Sequence, residues 1–187
     1  MNARLPRSHA RDNRRRIVDA ACALFNTGDL HVPIREVARQ AQVGSATDYR
    51  HFPTKQMLLT ATFIKQSRAW RGALEGGLAD PDPWRGLGLA VARLCELQAT
   101  DLGFTAAFKS TFPHAVDFAH LRTASLMSAA ALVTRARAAG HLRADINLDD
   151  LLLMLTASNG IRASNPAARI AASRRYAELM MLALRTK

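Results

Sequence analysis

The sequence is poor in the features that mark secreted and membrane proteins. It has only two cysteines, Cys22 and Cys95, and both lie within apolar helical patterns, so we interpret them as buried free thiols in a reducing compartment. No stretch approaches the roughly 18 unbroken apolar residues of a membrane span. No apolar run with a small-residue cleavage site follows the basic N-terminus, which argues against a signal peptide. We therefore expect a cytoplasmic protein that does not enter a membrane.

Catalytic and metal-binding motifs are missing as well. The sequence contains no CxxC pair, HExxH motif, Walker loop or GxSxG motif, and we expect neither an enzyme nor a bound cofactor or metal ion. His114, Asp117 and His120 lie close together in sequence and are compatible with a metal-sensing cluster. A solvated helix start is the interpretation that we favour for the same three residues.

Acidic side chains are scarce, with 15 against 26 basic ones, and the formal net charge is +11 at pH 7. An excess of this size indicates an anionic partner such as nucleic acid. Basic residues outnumber acidic ones both before and after residue 55, so charge alone also fits RNA or a membrane surface. The apolar fraction of 49% is that of a folded globular chain.

Residues 34–55 have the pattern of two short helices separated by a tight turn. The first helix carries one apolar face, formed by Ile34, Val37, Ala38 and Ala41. Gly44 suits the positive φ that the turn requires, and Ser45 follows as the N-cap of the second helix. That helix is rich in groups that bond phosphates and base edges, which predicts a helix-turn-helix. Spacing alone is equally compatible with an ordinary corner between two helices.

Several short stretches, taken together, closely resemble the DNA-binding domain of TetR-family transcriptional regulators. They are RRIVDAACALF at 15–25, Gly28, IREVA at 34–38, VGSAT at 43–47 and YRHFPTK at 49–55. The resemblance covers about residues 13–60. Two features depart from the family pattern: Asp48 stands where Leu, Ile or Val is usual, and Val32-Pro33 replaces the usual hydroxyl pair.

The resemblance and the side chains together predict which residues contact DNA. We expect Tyr49 and Lys55 to bind phosphates, with Arg35 as a helper. Side chains of the second helix are expected to compete for base edges in the major groove; these are Ser45, Thr47, Arg50 and His51.

Asp48 is the residue that fits this pattern least. It lies four residues before the inward-facing Phe52 and therefore on the same helical face. We expect it to be tucked toward the first two helices, paired with Arg39 or Arg35, and not to contact bases. Asp48→Leu is then predicted to stabilise the fold by roughly 1 kcal/mol.

The N-terminal residues 1–12 are predicted to form a flexible basic arm, with the first helix beginning near Asp12. Arginines here and in the first turn of that helix are expected to contact phosphates or the minor groove; the residues named are Arg11, Arg14 and Arg15. A solvated tail is the alternative interpretation of the arm.

Beyond residue 55 the pattern is helical throughout, and no window shows sustained strand alternation. Thr54 caps a long helix that we expect to run to about Leu74, with Gly76-Gly77 as the helix stop. Asp82, Asn147 and Asn165 have the positions of later caps. The predicted fold class is all-α: a three-helix helix-turn-helix head joined by a long helix to a larger helical body. The predicted domains are a flexible arm at 1–12, the DNA-binding domain at 13–60 and the body at 61–187.

In the family that the chain resembles, the body pairs two subunits and binds a small molecule. The last two predicted helices are apolar nearly all round, which favours a homodimer formed through them. A small apolar or amphipathic effector is expected in a pocket of the body, although a filled core explains the same side chains. The predicted lining residues are Trp70, Trp84, Cys95, Phe104, Phe108 and Met127.

These observations predict a sequence-specific DNA-binding transcriptional regulator, in the form of a repressor that an effector releases from a palindromic double-stranded operator. An architectural DNA-binding protein with little sequence preference and no effector is the main alternative, because it would also explain the basic body. A basic helical protein at a membrane surface is a third possibility.

Overall fold

The computed structural model describes residues 5–44 and 50–186, with side chains from His9 onward. Within these ranges the chain is helical, which confirms the predicted all-α class, and the one pairing outside helices is a single antiparallel bridge between Leu142 and Arg185. Arg50 and His51 are also helical. The helices are α1 (Leu5–Phe25), α2 (Ile34–Ala41), α3 (Lys55–Ala79), α4 (Pro83–Thr100), α5 (Phe104–Thr111), α6 (Phe118–Ala138), α7 (Leu148–Ala157), a 3₁₀ turn (Ser158–Gly160) and α8 (Pro166–Leu184).

The chain divides into two compact units whose boundaries differ from the predicted domains. The first unit contains the residues up to Gln66 together with Asp101–Val116, and the second contains Ser67–Thr100 and the residues from Asp117 onward. The sequence pattern assigns residues 101–116 to the body. Apolar packing with distant parts of the chain, which no local pattern reveals, places them in the first unit.

Helix α1 begins at Leu5, and the sequence prediction of a flexible arm up to residue 12 is wrong for residues 5–12. Pro6 is compatible with this start because a proline in the first turn removes no helical hydrogen bond. Arg14, Arg15 and Arg16 consequently lie in the middle of α1 and not in its first turn. The helix dipole therefore gives no reason to expect phosphates beside them.

The core of the first unit joins α1 to α2 and to α5. Phe25 at the end of α1 stacks on Phe104 with ring centroids 6.2 Å apart, and Phe63 of α3 stacks on Phe108 at 4.9 Å. The amide of Leu102 donates to the Asn26 carbonyl at 2.7 Å. These contacts fix residues 101–116 against the end of α1. Fully buried apolar side chains of this unit include Ile17, Ala21, Phe25, Val37, Leu58, Phe104 and Phe108.

Polar caps begin the helices where the sequence predicted them. The Asn147 cap is part of a capping box in which Asp150 bonds back to the Asn147 amide. The cap contacts are 3.2 Å from Met57 N to Thr54 Oγ1, 2.9 Å from Trp84 N to Asp82 Oδ1, 2.7 Å from Asp149 N to Asn147 Oδ1, and 2.9 Å from Ala168 N to Asn165 Oδ1. Local hydrogen-bonding chemistry therefore decides these starts.

Helix α3 continues through Gly76-Gly77 to Ala79, so the prediction of a helix end at the glycine pair is wrong. Gly77 serves close packing instead. A Cβ at Gly77 would lie 2.5 Å from the carbonyl oxygen of Gly86, and a Cβ at Gly86 would lie 2.2 Å from that of Gly77. The two glycines thus allow the backbones of α3 and α4 to touch. Arg135 of α6 then donates to the carbonyls of Leu78 and Asp80 where α3 ends.

The second unit is built around α4. Its buried side chains Leu87, Val91 and Cys95 belong to one apolar cluster with residues of α6, α7 and α8. Glu96 of α4 accepts hydrogen bonds from Arg93 and from Arg174 of α8. No helix in the described part of the chain combines the length and the apolarity of a membrane span.

Candidate nucleic-acid interface

Helix α2, the turn after it and the helical residues Arg50 and His51 form the described part of the predicted helix-turn-helix. Helix α2 buries Val37, Ala38 and Ala41, as its apolar spacing predicted. It ends at Gln42, which adopts a left-handed conformation with φ of 53°. The amide of Val43 then donates to the Ala38 carbonyl at 3.1 Å, the hydrogen bond of a Schellman-type helix end. A positive φ therefore occurs at Gln42, a position that the sequence did not predict.

The reading segment, which we define as residues 45–51, is only partly described. Ser45, Thr47 and Tyr49 lie outside the described residues, and so does Asp48. Of the two reading-segment residues that are described, Arg50 is exposed and His51 is half-buried. Phe52 follows with 1% exposure, which confirms that this residue faces inward.

Lys55 occupies the first position of α3, directly after the Thr54 cap. Partial burial lowers the pKa of its ammonium group, and the nearby Asp29 carboxylate acts in the opposite direction. A cation at a helix start, beside the free N–H groups of the first turn, is an arrangement that binds phosphate. The role of Lys55 as a phosphate contact stays a prediction.

The two arginines of α2 differ in their surroundings. Arg35 is exposed. Arg39 donates to both carboxylate oxygens of Glu36 at 2.9 and 2.5 Å, and this hydrogen bonding lowers the pKa of Glu36. Arg39, a predicted partner of Asp48, is therefore engaged by Glu36 on its own helix.

Three arginines of α1 also have different surroundings. The guanidinium of Arg14 lies over the Phe52 ring, 5.0 Å from the centroid. Arg16 donates from Nη2 to the Gln42 carbonyl at 3.0 Å. Arg15 is exposed and makes only a loose 3.5 Å ion pair with Asp12 among the described residues. Sequence reasoning missed the Arg16 contact, because nothing in the local pattern marks a backbone acceptor 26 residues away.

The six residues predicted to line an effector pocket are divided between the two units. Phe104 and Phe108 are fully buried in the first unit, where they are core residues stacked on other rings. Cys95 is fully buried in the second unit, whereas Met127 is 68% exposed on α6. Trp84 is half-buried and lines an open surface groove of about 380 Å³ between α4 and α8. Trp70 packs partly buried against the core of the second unit.

The structure describes the two predicted free thiols and the His-Asp-His triplet. Cys95 is a buried free thiol, as predicted, whereas the free thiol of Cys22 is half-buried. Burial is the main cause that raises the pKa of both thiols. Asp117 caps α6 by accepting from the His120 amide at 2.9 Å. Across residues 5–44 and 50–186 the structure holds no group of three or more side chains arranged for a metal ion.

Comparisons with known proteins assign both parts of the chain to one family. Residues 17–62 match the family model described as bacterial regulatory proteins, tetR family, and residues 82–186 match the C-terminal domain of SbtR-like transcriptional regulators. The HTH-type transcriptional repressor KstR of Mycolicibacterium smegmatis is 34% identical over 90 residues, which are 45% of this chain and 42% of that repressor. The match therefore spans less than half the length of that curated relative.

Solved structures extend the similarity over nearly the whole chain. The TetR transcriptional regulator SCO0520 from Streptomyces coelicolor superposes with a TM-score of 0.72 and 28% identity, covering 93% of this chain and 99% of its own. A TetR transcription regulatory protein from Mycobacterium vanbaalenii gives a TM-score of 0.72 and 27% identity, covering 96% and 99%. With a helix-turn-helix match near the N-terminus and a regulator-type match over the rest, the chain belongs to the TetR family and is a DNA-binding transcriptional regulator.

Proposed function

We propose that this protein is a homodimeric repressor that binds a palindromic operator and leaves it when a small molecule binds the body. The observation that carries the proposal is the apolar surface of the last two helices. Leu153 on α7 is 69% exposed, and Leu179 and Leu182 on α8 are 48% and 67% exposed. The two helices meet where the Tyr176 hydroxyl donates to the Met154 carbonyl at 2.8 Å. Exposed leucines of this kind are typical of an interface between proteins.

A second copy of the chain is the partner that best suits this surface. In a two-fold dimer the same patch occurs on both subunits and covers itself. DNA recognition supports the same stoichiometry, because one reading segment contacts too few base pairs to be selective. Two segments related by a two-fold axis would read half-sites roughly 10 base pairs apart, or a multiple of that spacing.

Individual contacts follow from chemistry and exposure. Phosphates are bound by Lys55, Tyr49 and Arg35, and base edges by the reading segment, through Ser45, Thr47, Arg50 and His51. Arg35 and Arg50 are exposed and therefore accessible to DNA without rearrangement. Arg11 and Arg15, both exposed on α1, add further phosphate contacts.

The effector is a small apolar or amphipathic molecule bound by the second unit. This part of the proposal is supported by membership of the family and by the two half-buried tryptophans, Trp70 and Trp84, beside the apolar core. By thermodynamic linkage, operator DNA lowers effector affinity by the same factor by which the effector lowers DNA affinity. Compounds that stabilise the protein in a thermal-shift screen can be used to test this reciprocity. If none of them weakens DNA binding, the effector part of the proposal is wrong.

Binding-site selection from a random duplex library, followed by footprinting and sedimentation, tests the DNA-binding proposal. We expect a discrete two-half-site footprint and a dimer at micromolar concentration. A diffuse footprint would favour the architectural alternative. A monomer both free and on DNA would reject the dimer. If the protein binds the selected site upstream of a reporter gene without lowering its expression, the protein is not a repressor.

A further inference from the structure

Two arginines of α1 contact the chain on either side of the reading segment. Arg16 bonds to Gln42, three residues before the segment starts, and Arg14 lies over Phe52, the residue directly after it ends. Both contacts stay within the first unit. They link one rigid helix to both ends of the residues expected to read bases.

The contact of Arg16 acts where the chain leaves α2. Gln42 has a left-handed backbone with φ of 53°, which is unfavourable for a residue other than glycine. Its carbonyl lies at the C-terminal end of α2, where the helix dipole makes a cationic donor favourable. A charged hydrogen bond of 3.0 Å from Arg16 therefore stabilises this conformation and fixes the direction in which the chain continues toward residue 45.

The contact of Arg14 acts where the reading segment ends. Phe52 is 1% exposed, so its ring has a fixed position in the core of the first unit. A guanidinium 5.0 Å from the ring centroid is within the range of a cation–π interaction. Arg14 precedes Val18 by four residues and lies on the same face of α1, and Val18 is 6% exposed. The side chain thus starts from an anchored part of the helix.

We propose that Arg14 and Arg16 are positioning residues, which hold the reading segment at both ends for base recognition without contacting DNA themselves. The inference rests on the proposed role of residues 45–51 as the base-reading segment. It replaces the sequence prediction of Arg14 as a phosphate contact. All three arginines are exposed, and the two contacts distinguish Arg14 and Arg16 from Arg15. Arg15 has no such link to the segment and remains a phosphate contact.

Salt dependence separates the two roles. A residue that neutralises a phosphate releases a counterion, so its loss weakens binding to every duplex and makes the slope of log affinity against log salt shallower by about one unit. A positioning residue contributes only where bases are read, so its loss weakens the preferred duplex and leaves the slope unchanged.

The test uses the full chain with Arg14→Met, Arg16→Met and the matched control Arg15→Met, each confirmed to be folded by thermal unfolding. Affinities are measured over a range of salt for the duplex selected by the unmodified protein and for a scrambled duplex of equal composition. We expect Arg14→Met and Arg16→Met to lower the affinity for the selected duplex roughly tenfold. Their affinity for the scrambled duplex should fall little, and the slope of log affinity against log salt should not change. Arg15→Met should lower the affinity for both duplexes alike and make that slope shallower.

Conservative variants guard against loss of folding. Arg14→Lys keeps a cation over the ring and Arg16→Lys keeps a donor, so both should regain most of the lost affinity. Equal loss on both duplexes with a shallower slope in the Met variants would identify Arg14 and Arg16 as phosphate contacts and overturn the inference.

Hydrogen exchange in the free protein tests positioning independently of any operator. Amides of residues 43–52 should exchange faster in Arg14→Met and Arg16→Met than in Arg15→Met. Unchanged exchange in both variants would overturn the inference even if the protein selects a duplex. Faster exchange in a protein that selects no duplex would instead contradict the proposed base reading and leave the positioning contacts supported.

Discussion

Lys55 places a positive charge at the first position of α3. It follows the Thr54 cap at the start of α3, and burial lowers its pKa while Asp29 opposes the shift. A phosphate at this position meets both the ammonium group and the free amides of the first turn. We therefore expect the contribution of Lys55 to DNA affinity to come from the phosphate backbone and to be independent of base sequence.

We predict that Lys55→Ala weakens binding to all duplexes alike and makes the salt slope shallower by about one unit. Gln56→Ala, at the neighbouring exposed position, is the control and should change neither quantity. Arg50→Ala should instead relax the preference at particular base pairs. A changed preferred sequence with an intact salt slope in Lys55→Ala would show that the phosphate assignment is wrong.

Asp48 lies outside the described residues, and its predicted inward position stays a prediction. One of its two expected partners, Arg39, is bonded to Glu36, which leaves a buried carboxylate less well compensated. Asp48→Leu should therefore raise the free energy of unfolding by roughly 1 kcal/mol and keep the operator preference. A less stable protein or a new preferred base would place Asp48 among the base-reading residues.

At the level of helices, the crossing of α3 and α4 depends on Gly77 and Gly86. Each would place a new Cβ within 2.5 Å of the other's carbonyl oxygen, and backbone atoms cannot move aside as side chains can. A Cβ at Gly76, one residue earlier, would have no packing neighbour within 4 Å. The two adjacent glycines therefore differ in function although they look alike in sequence.

Gly77→Ala should destabilise the protein by about 1–3 kcal/mol because the helices must separate. Gly76→Ala is the matched control and should stabilise it by about 0.5–1 kcal/mol, since alanine favours an exposed helix interior. Chemical denaturation of both variants measures the two free energies. Equal effects of the same sign would mean that the close approach of α3 and α4 does not limit stability.

The ion pairs of Glu96 connect α4 to α8 and make part of the stability depend on pH. Hydrogen bonding from Arg174, followed by that from Arg93, lowers the pKa of Glu96 against the opposing effect of burial. A lowered carboxylate pKa stabilises the fold above the ordinary glutamate pKa of about 4.3. That contribution is lost as the pH falls through the lower pKa of the folded state.

Glu96→Gln should therefore lower Tm at pH 7, by an amount that corresponds to roughly 1 kcal/mol, and the difference should narrow below about pH 4. Glu178→Gln removes an ion pair with Arg175 in which both side chains are more than 60% exposed, and it should have a smaller effect. A Tm difference that stays constant from pH 7 to pH 3 would contradict this account.

Local chemistry explains which parts of the fold the sequence predicted. Thr54, Asp82, Asn147 and Asn165 each cap a helix through amides two or three residues away, so a short window contains the whole interaction. Two other features depend on partners outside such a window. Helix α3 continues through Gly77, which packs against the backbone of Gly86 in α4, and Arg16 donates to the carbonyl of Gln42. Phe104 and Phe108 were predicted to line a pocket, because their stacking partners in α1 and α3 are far away in the sequence and cannot be predicted from spacing.

Dimer formation can be tested at the exposed leucines of α7 and α8. Leu182→Glu should produce a monomer in sedimentation at micromolar concentration, because a buried unpaired carboxylate at a two-fold interface occurs twice. Met127→Glu, at a side chain with nearly the same exposure on α6, is the control and should stay dimeric. A dimeric Leu182→Glu protein with wild-type affinity would place the interface elsewhere.

The stacking of Phe25 on Phe104 and of Phe63 on Phe108 makes the DNA-binding unit discontinuous in sequence. A fragment that ends within α3 would lack Phe104 and Phe108. Phe25 and Phe63 would then have no stacking partners, and their apolar surface would be exposed to water. The same holds for chimeras in which the head of one regulator is fused to the body of another. A single recombination point at the end of the head would separate the two halves of one core, so a stable chimera should also exchange residues 101–116.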